Sequence, residues 1–294
     1  MQDMAPPIES GEIEALQGWV GRSEVVEDEA ALPIVRRLAA LMDRDAMAFR
    51  RGDALPEGWH AVFFGPVTPQ SQLGPDGHPR KGDFLPPVPL PRRMFAGRRI
   101  RFLAPLPIGA ELRRTSTIAA VTPKTGRSGR MVFVRVDHSV EADGQVVVTE
   151  EHDIVYREEA TKVAGVPAAP PPAPAPLPEP TATEVYSPDT VTLFRYSAVT
   201  FNGHRIHYDQ PYTIQEEGYP GLVVNGGLTA LRLCELAKRQ LPDGRIGRLA
   251  VRNVRPFFVG RQGELRCRQE ADGRLLLWAL DEAGRPIAEG EASA

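Results

Sequence analysis

Cysteine is scarce in this chain: 294 residues contain two, Cys234 and Cys267. Their positions, one in a helical and one in a strand-like segment, match no metal or redox spacing. A disulfide framework and a cysteine zinc site are therefore excluded, and both thiols read as small core residues in a reducing compartment. Long apolar runs are missing too, so no segment is expected to span a membrane. A cationic surplus is also lacking, since 35 Lys and Arg stand against 38 Asp and Glu for a net charge of -3. Nucleic acid is a poor partner for such a balance, because binding must displace counterions from phosphates. The first residues, MQDMAPPIESGEIEAL, are acidic and broken by proline, unlike a secretory signal or transit peptide. The expectation is a cytoplasmic protein.

Proline, in contrast, is abundant and unevenly placed. Eight of the 14 residues from Pro167 to Pro180 are proline, which reads as a stiff linker. The expected layout is a first half over 1–160, a linker over 161–185 and a second half over 186–294. Both halves share a syntax. Pro105–Gly109 and Pro256–Gly260 are Pro-x-x-x-Gly corners, and each is followed by three Val-, Ile-, Thr- and Leu-rich runs broken by Asp-Gly or Ala-Gly turns. That is the signature of an antiparallel meander. Ahead of each meander lies a helical pattern, Asp28–Asp45 in the first half and Gly226–Leu241 in the second. The start of the second helix is apolar around most of its circumference, so something must wrap it. The expected fold class is α+β: duplicated units of one helix embraced by an antiparallel sheet.

Chemistry concentrates in TFNGHRIHYD, Thr200 to Asp209, which holds two of the six histidines. Three readings compete. His204, His207 and Asp209 have metal-ligand types, but no further Cys or His completes a shell. The histidines of a structural loop would only cap and hydrogen-bond. As an acid/base site, His207 would titrate and Asn202 would fix a water or a substrate group. The next segment, YPGLVVNGGLTAL, favours the third. It is a Gly-rich turn before a buried helix, where unpaired amides and the positive end of the helix dipole await an anion. A base and an oxyanion site are together what proton chemistry alpha to a thioester carbonyl needs.

These strings resemble a family. GWHAVFFGP (58–66), GDFLPPVPLPRRMFAG (82–97), FRYSAVTFNGHRIHYD (194–209) and GYPGLVVNGGL (218–228) are similar to the MaoC-like double hot-dog enoyl-CoA hydratases. More narrowly, they resemble the mesaconyl-C4-CoA and itaconyl-CoA hydratase branch, related to mitochondrial hydroxyacyl-thioester dehydratase. The resemblance implies a pseudo-dimer in one chain, with two sheets each wrapped around a central helix. It implies reversible hydration of a 2-enoyl-CoA, with no metal or redox cofactor and with CoA as part of the substrate. The family's catalytic Asp and His stand five residues apart; here the histidine is His207, and Asn202 fills the aspartate's place. Asparagine takes up no proton, so His207 is expected to titrate and Asn202 to hold the water, while His204 and Asp209 support the loop. The amide of Gly226 or Gly227 would hold the thioester oxygen. Asn225 stands where the family usually has histidine.

The run RRMFAGRRIR, Arg92 to Arg101, has five arginines and no acid. It reads either as a solvated edge strand or as an arginine clamp for CoA phosphates or an acyl carboxylate. Arg92 and Arg93 beside Met94 are the substrate-binding candidates, with Trp59 and Asn225 as further ones; Trp59 and His60 fit core or pocket wall better than catalysis. Arg252 and Arg255 are weaker phosphate candidates. The first half, lacking a histidine loop, is expected to shape the substrate tunnel, and the expected assembly is a homodimer. Two other functions fit the fold: an acyl-CoA thioesterase, or a non-catalytic acyl-thioester binding subunit.

Overall fold

The computed structural model describes residues 15–126, 129–158 and 176–294. Most of the proline-rich stretch, 159–175, falls outside them. One ten-stranded antiparallel sheet runs through both halves of the chain. The first half supplies β1 (Ser23–Glu29), β2 (Arg92–Phe102), β3 (Glu111–Gly126), β4 (Gly129–Ala142) and β5 (Gln145–Arg157). The second supplies β6 (Ala182–Tyr186), β7 (Arg248–Asn253), β8 (Gly263–Gln269), β9 (Leu275–Leu280) and β10 (Pro286–Ser293). Their order is β1-β3-β4-β5-β2-β7-β10-β9-β8-β6, in which each half is the other reversed. This is a double hot-dog, joined where β2 pairs with β7 from Gly97 opposite Arg252 to Arg101 opposite Arg248. The arginine-rich run is thus a central strand; an edge strand would have left its backbone unpaired on one side.

The Pro-x-x-x-Gly corners repeat in detail. Leu55 N donates to Leu106 O at 2.7 Å, and Val224 N donates to Phe257 O at 2.8 Å. Isolated bridges join Ala54 to Pro107 and Val223 to Phe258. The equivalence places Gly58 opposite Gly227, so the 3₁₀ turn Trp59–Val62 is the counterpart of the central helix α4 (Gly226–Lys238). In the first half the central helix has shrunk to that one turn.

The helix expected over Asp28–Asp45 is shorter and has a different role. Asp28 and Glu29 end β1, and α1 (Leu32–Leu41) begins with proline in its first turn and no side-chain cap. By its place after the first strand of its half, α1 corresponds to α2 (Thr190–Val199), on which it packs. A short helix, α3 (Gln210–Gln215), precedes α4. The sheet strands β7 to β10 wrap α4, whose residues Leu228–Leu231 and Leu233–Ala237 are buried. The carboxylate of Glu235 is among them, accepting a 2.9 Å hydrogen bond from Trp59 Nε1. Both cysteines are buried and free. Among the described residues, no helix is long and apolar enough to cross a membrane.

Candidate active site

Helix α2 ends in the histidine loop. Its N-cap Asp189 accepts from Thr192 N at 2.7 Å, and its buried side places Leu193, Tyr196 and Ser197 inward. The chain then turns sharply through Phe201, whose φ of 50° is left-handed for a bulky, exposed residue, a strained conformation of the kind that gathers at functional sites. Asn202 N donates to Ser197 O at 2.8 Å, and its Oδ1 accepts from His204 N at 3.0 Å. That contact fixes the amide's orientation and leaves its NH₂ free to donate to a water. The 3₁₀ turn Arg205–His207 follows. Asp209 caps α3 through Tyr212 N at 3.1 Å and pairs with Arg205 at 2.7 Å. So Asp209 supports the loop and joins no ligand cluster with the histidines.

His207 is buried, and its Nδ1 lies 2.7 Å from Val223 O. A carbonyl only accepts, so Nδ1 carries the proton and Nε2 keeps a lone pair. Burial lowers the pKa of His207 to about 4; the bond to Val223 works in the other direction, and the charge of His78 adds to the lowering. At neutral pH the ring is an uncharged base. Val223 is three residues before Gly226, so the same short segment holds the base and opens α4.

The start of α4 is set up to take an anion. Asn225 occupies the N-cap without making a capping bond, leaving the first amides to other acceptors. The residue is 2% exposed, yet neither its Oδ1 nor its Nδ2 has a partner among the described protein atoms. A buried amide unpaired with protein atoms at both ends can bond an ordered water or a bound group. Tyr196 Oη lies 2.5 Å from where a Cβ on Gly227 would stand, and Asn253 Nδ2 lies 2.7 Å from the corresponding point on Gly226. Asn253 also donates to Phe95 O at 3.2 Å, which ties β2 to the helix start; Met94, the preceding residue on β2, is half-buried.

The first half also reaches this site. Loop Gly74–His78 lies on the histidine loop: Arg205 N donates to Asp76 O at 2.9 Å and Arg205 Nη1 to Pro75 O at 2.9 Å. Gly77 approaches so closely that a Cβ would stand 2.0 Å from Gly203 O. His78 lies against His204 with centroids 4.1 Å apart and the rings tilted by 46°, and His204 meets His207 edge-on at 5.4 Å. Asp76 Oδ2 accepts from His78 Nδ1 at 2.9 Å. The expectation that the first half only shapes a tunnel missed this loop, because GPDGHP reads as an ordinary turn and its partner is over 120 residues away. Tyr196 and Asn253 were missed because each lies on a separate element and meets the helix start only once the chain has folded.

Asp76, His78 and His204 gather ligand-type atoms within 4.8 Å of one another. The charge of Arg93 faces both histidines, and that of Lys81 faces Asp76, which works against a cation there. Burial lowers His204 to about 2, with the charges of His78 and His207 adding to it. Asp76 is held below the carboxylate range: burial opposes its ionisation, but the hydrogen bonds and charge of His78 outweigh it.

The other expected residues sort as follows. Arg92 and Arg93 alternate along β2 and face opposite sides of the sheet. Arg92 Nη2 donates to Glu217 O at 2.9 Å and its guanidinium lies over Tyr219, so Arg92 fastens a loop. Trp59 is wholly buried against α4, which makes it core and removes it from the substrate contacts. His60 is core as well, 3.1 Å from Glu150. Arg252 pairs with Glu289 at 2.7 Å, and Arg255 donates to Pro286 O at 3.0 Å, so neither is a free phosphate ligand.

The sequence profile of the family described as hydroxyacyl-thioester dehydratase type 2 matches residues 58–259. Mesaconyl-C(4)-CoA hydratase of Chloroflexus aurantiacus is 46% identical over 240 residues, covering 82% of this chain and 84% of that protein. The mitochondrial hydroxyacyl-thioester dehydratase type 2 of Schizosaccharomyces pombe is 26% identical over 236 residues, covering 71% of this chain and 76% of that protein. Among solved structures, a Mycobacterium tuberculosis protein with a double hot-dog fold superposes with a TM-score of 0.58 at 14% identity, covering 93% of this chain and 95% of that one. That last likeness speaks to the fold alone.

Proposed function

Because the chain belongs to the hydroxyacyl-thioester dehydratase type 2 family of hydratases and dehydratases, we propose that it interconverts a short 2-enoyl-CoA and its 3-hydroxyacyl-CoA, and that the acyl group carries a carboxylate, as in the mesaconyl-C4 thioester. The observation that carries this reading is the buried, neutral His207 with Nδ1 tied to Val223 O, just ahead of the open helix start at Gly226. Nε2 of His207 removes a proton from a water held by the NH₂ of Asn202. The hydroxide adds to the β carbon, and the enolate oxygen is taken by the amide of Gly226 or Gly227, with the unpartnered Asn225 amide against the acyl group. The α carbon is then protonated. Only protons and hydroxide move, so the chemistry calls for no metal or redox cofactor, and CoA enters as part of the substrate.

The cation proposed to read the distal carboxylate is Arg93, whose charge faces His78 and His204, with Met94 as pocket wall. The proposed setting is a cytoplasmic homodimer. The test is a panel of enoyl-CoAs with and without a distal carboxylate, following loss of the conjugated thioester and, in parallel, free thiol. The diacid thioesters are expected to turn over fastest, without thiol release. His207→Ala should remove nearly all of the rate and Arg93→Met the diacid preference. A near-normal rate in His207→Ala, or release of thiol, would sink the reading.

A further inference from the structure

Asn202 carries no proton and His204 is held too low to serve as an acid, yet a carboxylate and a further imidazole reach the histidine loop from the other half of the chain. Asp76 and His78 arrive on the Gly74–His78 loop, which is clamped to the histidine loop by two hydrogen bonds to Arg205 and by the Gly77–Gly203 approach. His207 and His78 are prepared in the same way. Each has Nδ1 held by an oxygen that can only accept, Val223 O for one and the Asp76 carboxylate for the other. Each therefore presents Nε2 for proton transfer, and one ring, His204, lies between them. The Asp–His arrangement orients an imidazole and stabilises it when charged.

We propose that His78 is a second catalytic residue, delivering the proton to the α carbon, and that Asp76 is its positioning residue, a carboxylate brought from the first half to a loop whose own position 202 is an asparagine. This rests on the hydratase reading. In hydration His207 Nε2 takes the water proton as the oxygen bonds to the β carbon, and the π pair moves to the thioester oxygen. The enolate then collapses, forming the α C–H bond with the proton from His78 Nε2. His207 is left charged and His78 neutral. The proton returns to His78 through solvent, to which both His78 and His204 are partly open, and the net change is one water added.

His204 is unsuited to the acid's role, since it is pressed to about 2. His78 is also lowered, first by burial; the bond to Asp76 and the charges of Asp76 and Glu217 pull the other way, and Arg93 opposes them. The charge of Asp76 also acts on Lys81 and Tyr212, which complete the titratable surroundings.

The experiment uses Asp76→Asn and His78→Gln in the full chain, with folding checked by circular dichroism and kcat measured against pH on the best substrate of the panel. Both variants are expected to lose kcat by about 10²-fold or more with KM little changed. Asp76→Asn should also move the alkaline limb of the profile to lower pH, because the charged imidazole has lost its partner, and Asp76→Glu should recover part of the rate. Wild-type rates in His78→Gln, or a loss of rate with an unmoved alkaline limb in Asp76→Asn, would overturn the proposal. Inactivity of the wild-type protein across the whole panel would instead overturn the hydratase reading beneath it. Should either variant unfold, the α-proton exchange of the 3-hydroxyacyl-CoA in heavy water, read on folded Asp76→Glu, decides in its place: slowed exchange supports the assignment, and wild-type exchange overturns it.

Discussion

Gly227 shows how little room the helix start allows. A methyl at this position would meet Tyr196 Oη at 2.5 Å. Alanine improves helix propensity by up to about 1 kcal/mol in a helix interior, less in the first turn, whereas forcing a methyl into a packed site costs about 1–3 kcal/mol. The second effect should win, so Gly227→Ala is expected to lower the melting temperature and the hydration rate together. Tyr196→Phe removes the offending oxygen, and the double variant should regain part of the stability; a stable Gly227→Ala single variant would show that Tyr196 moves aside. At the same scale, His207 is lowered to about 4, so it is the uncharged base above that pH and is lost as a base below it. The acid limb of kcat/KM should therefore fall near pH 4, well under the ordinary histidine value of 6.5.

At the scale of elements, the shrunken central helix of the first half is tied to the full one of the second. Gly58, Ala61 and Val62 face Gly227, Ala230 and Leu231 across a narrow cavity, with Ile100 and its strand partner Leu249 also lining it. Trp59 Nε1 anchors the turn to buried Glu235, with Arg44 3.6 Å from the other carboxylate oxygen. Trp59→Phe keeps most of the ring but leaves that buried oxygen without its donor, for an expected loss of about 1–3 kcal/mol in denaturant unfolding. Glu235→Gln keeps an acceptor and should lose less; equal losses would assign the effect to packing. The corners and meanders were legible in sequence because Pro, Gly and alternating Val act locally. The first-half helix was misplaced because acids at 28 and 29 suit a strand end as well as a helix start, and only the hydrogen bonds of Leu55 and Leu106 show that Trp59–Val62 holds the central position. Likewise His207, Asn202 and Gly226 lie within one short stretch of chain and could be read together, whereas the Asp76–His78 contact depends on how the two halves fold over each other.

Over the whole molecule, histidine is the residue most out of its ordinary state. A polar belt crosses the inner face of the first half-sheet: His138 Nδ1 bonds Ser116 Oγ at 2.9 Å, His152 and His60 meet Glu150 at 2.6 and 3.1 Å, and Arg98 lies 3.2 Å from the same carboxylate. The belt separates an apolar cluster around Ile118, Val134 and Tyr156 from the main core. Burial lowers His138 to about 3, helped by the charge of His152; His204 and His207 stand at about 2 and about 4. All three lie below 6.5, so between about pH 6.5 and pH 4 the unfolded chain binds protons that the folded chain refuses. Stability that is complete at neutral pH must therefore be lost as the pH falls through this window, by on the order of 1 kcal/mol per pH unit for each histidine that stays neutral. Glu150 is lowered as well, but this holds it in its charged form: burial opposes its ionisation, and Arg98 and His152 outweigh burial and keep it well below its ordinary value, so its own loss begins only at lower pH. The expected outcome is a melting temperature that drops steadily from pH 7 to pH 5. His138→Gln, remote from the histidine loop in sequence, should flatten that slope while leaving the acid limb of hydration in place, because the two effects belong to different histidines. A melting temperature unchanged across this range would mean that the buried imidazoles take up protons in the folded state.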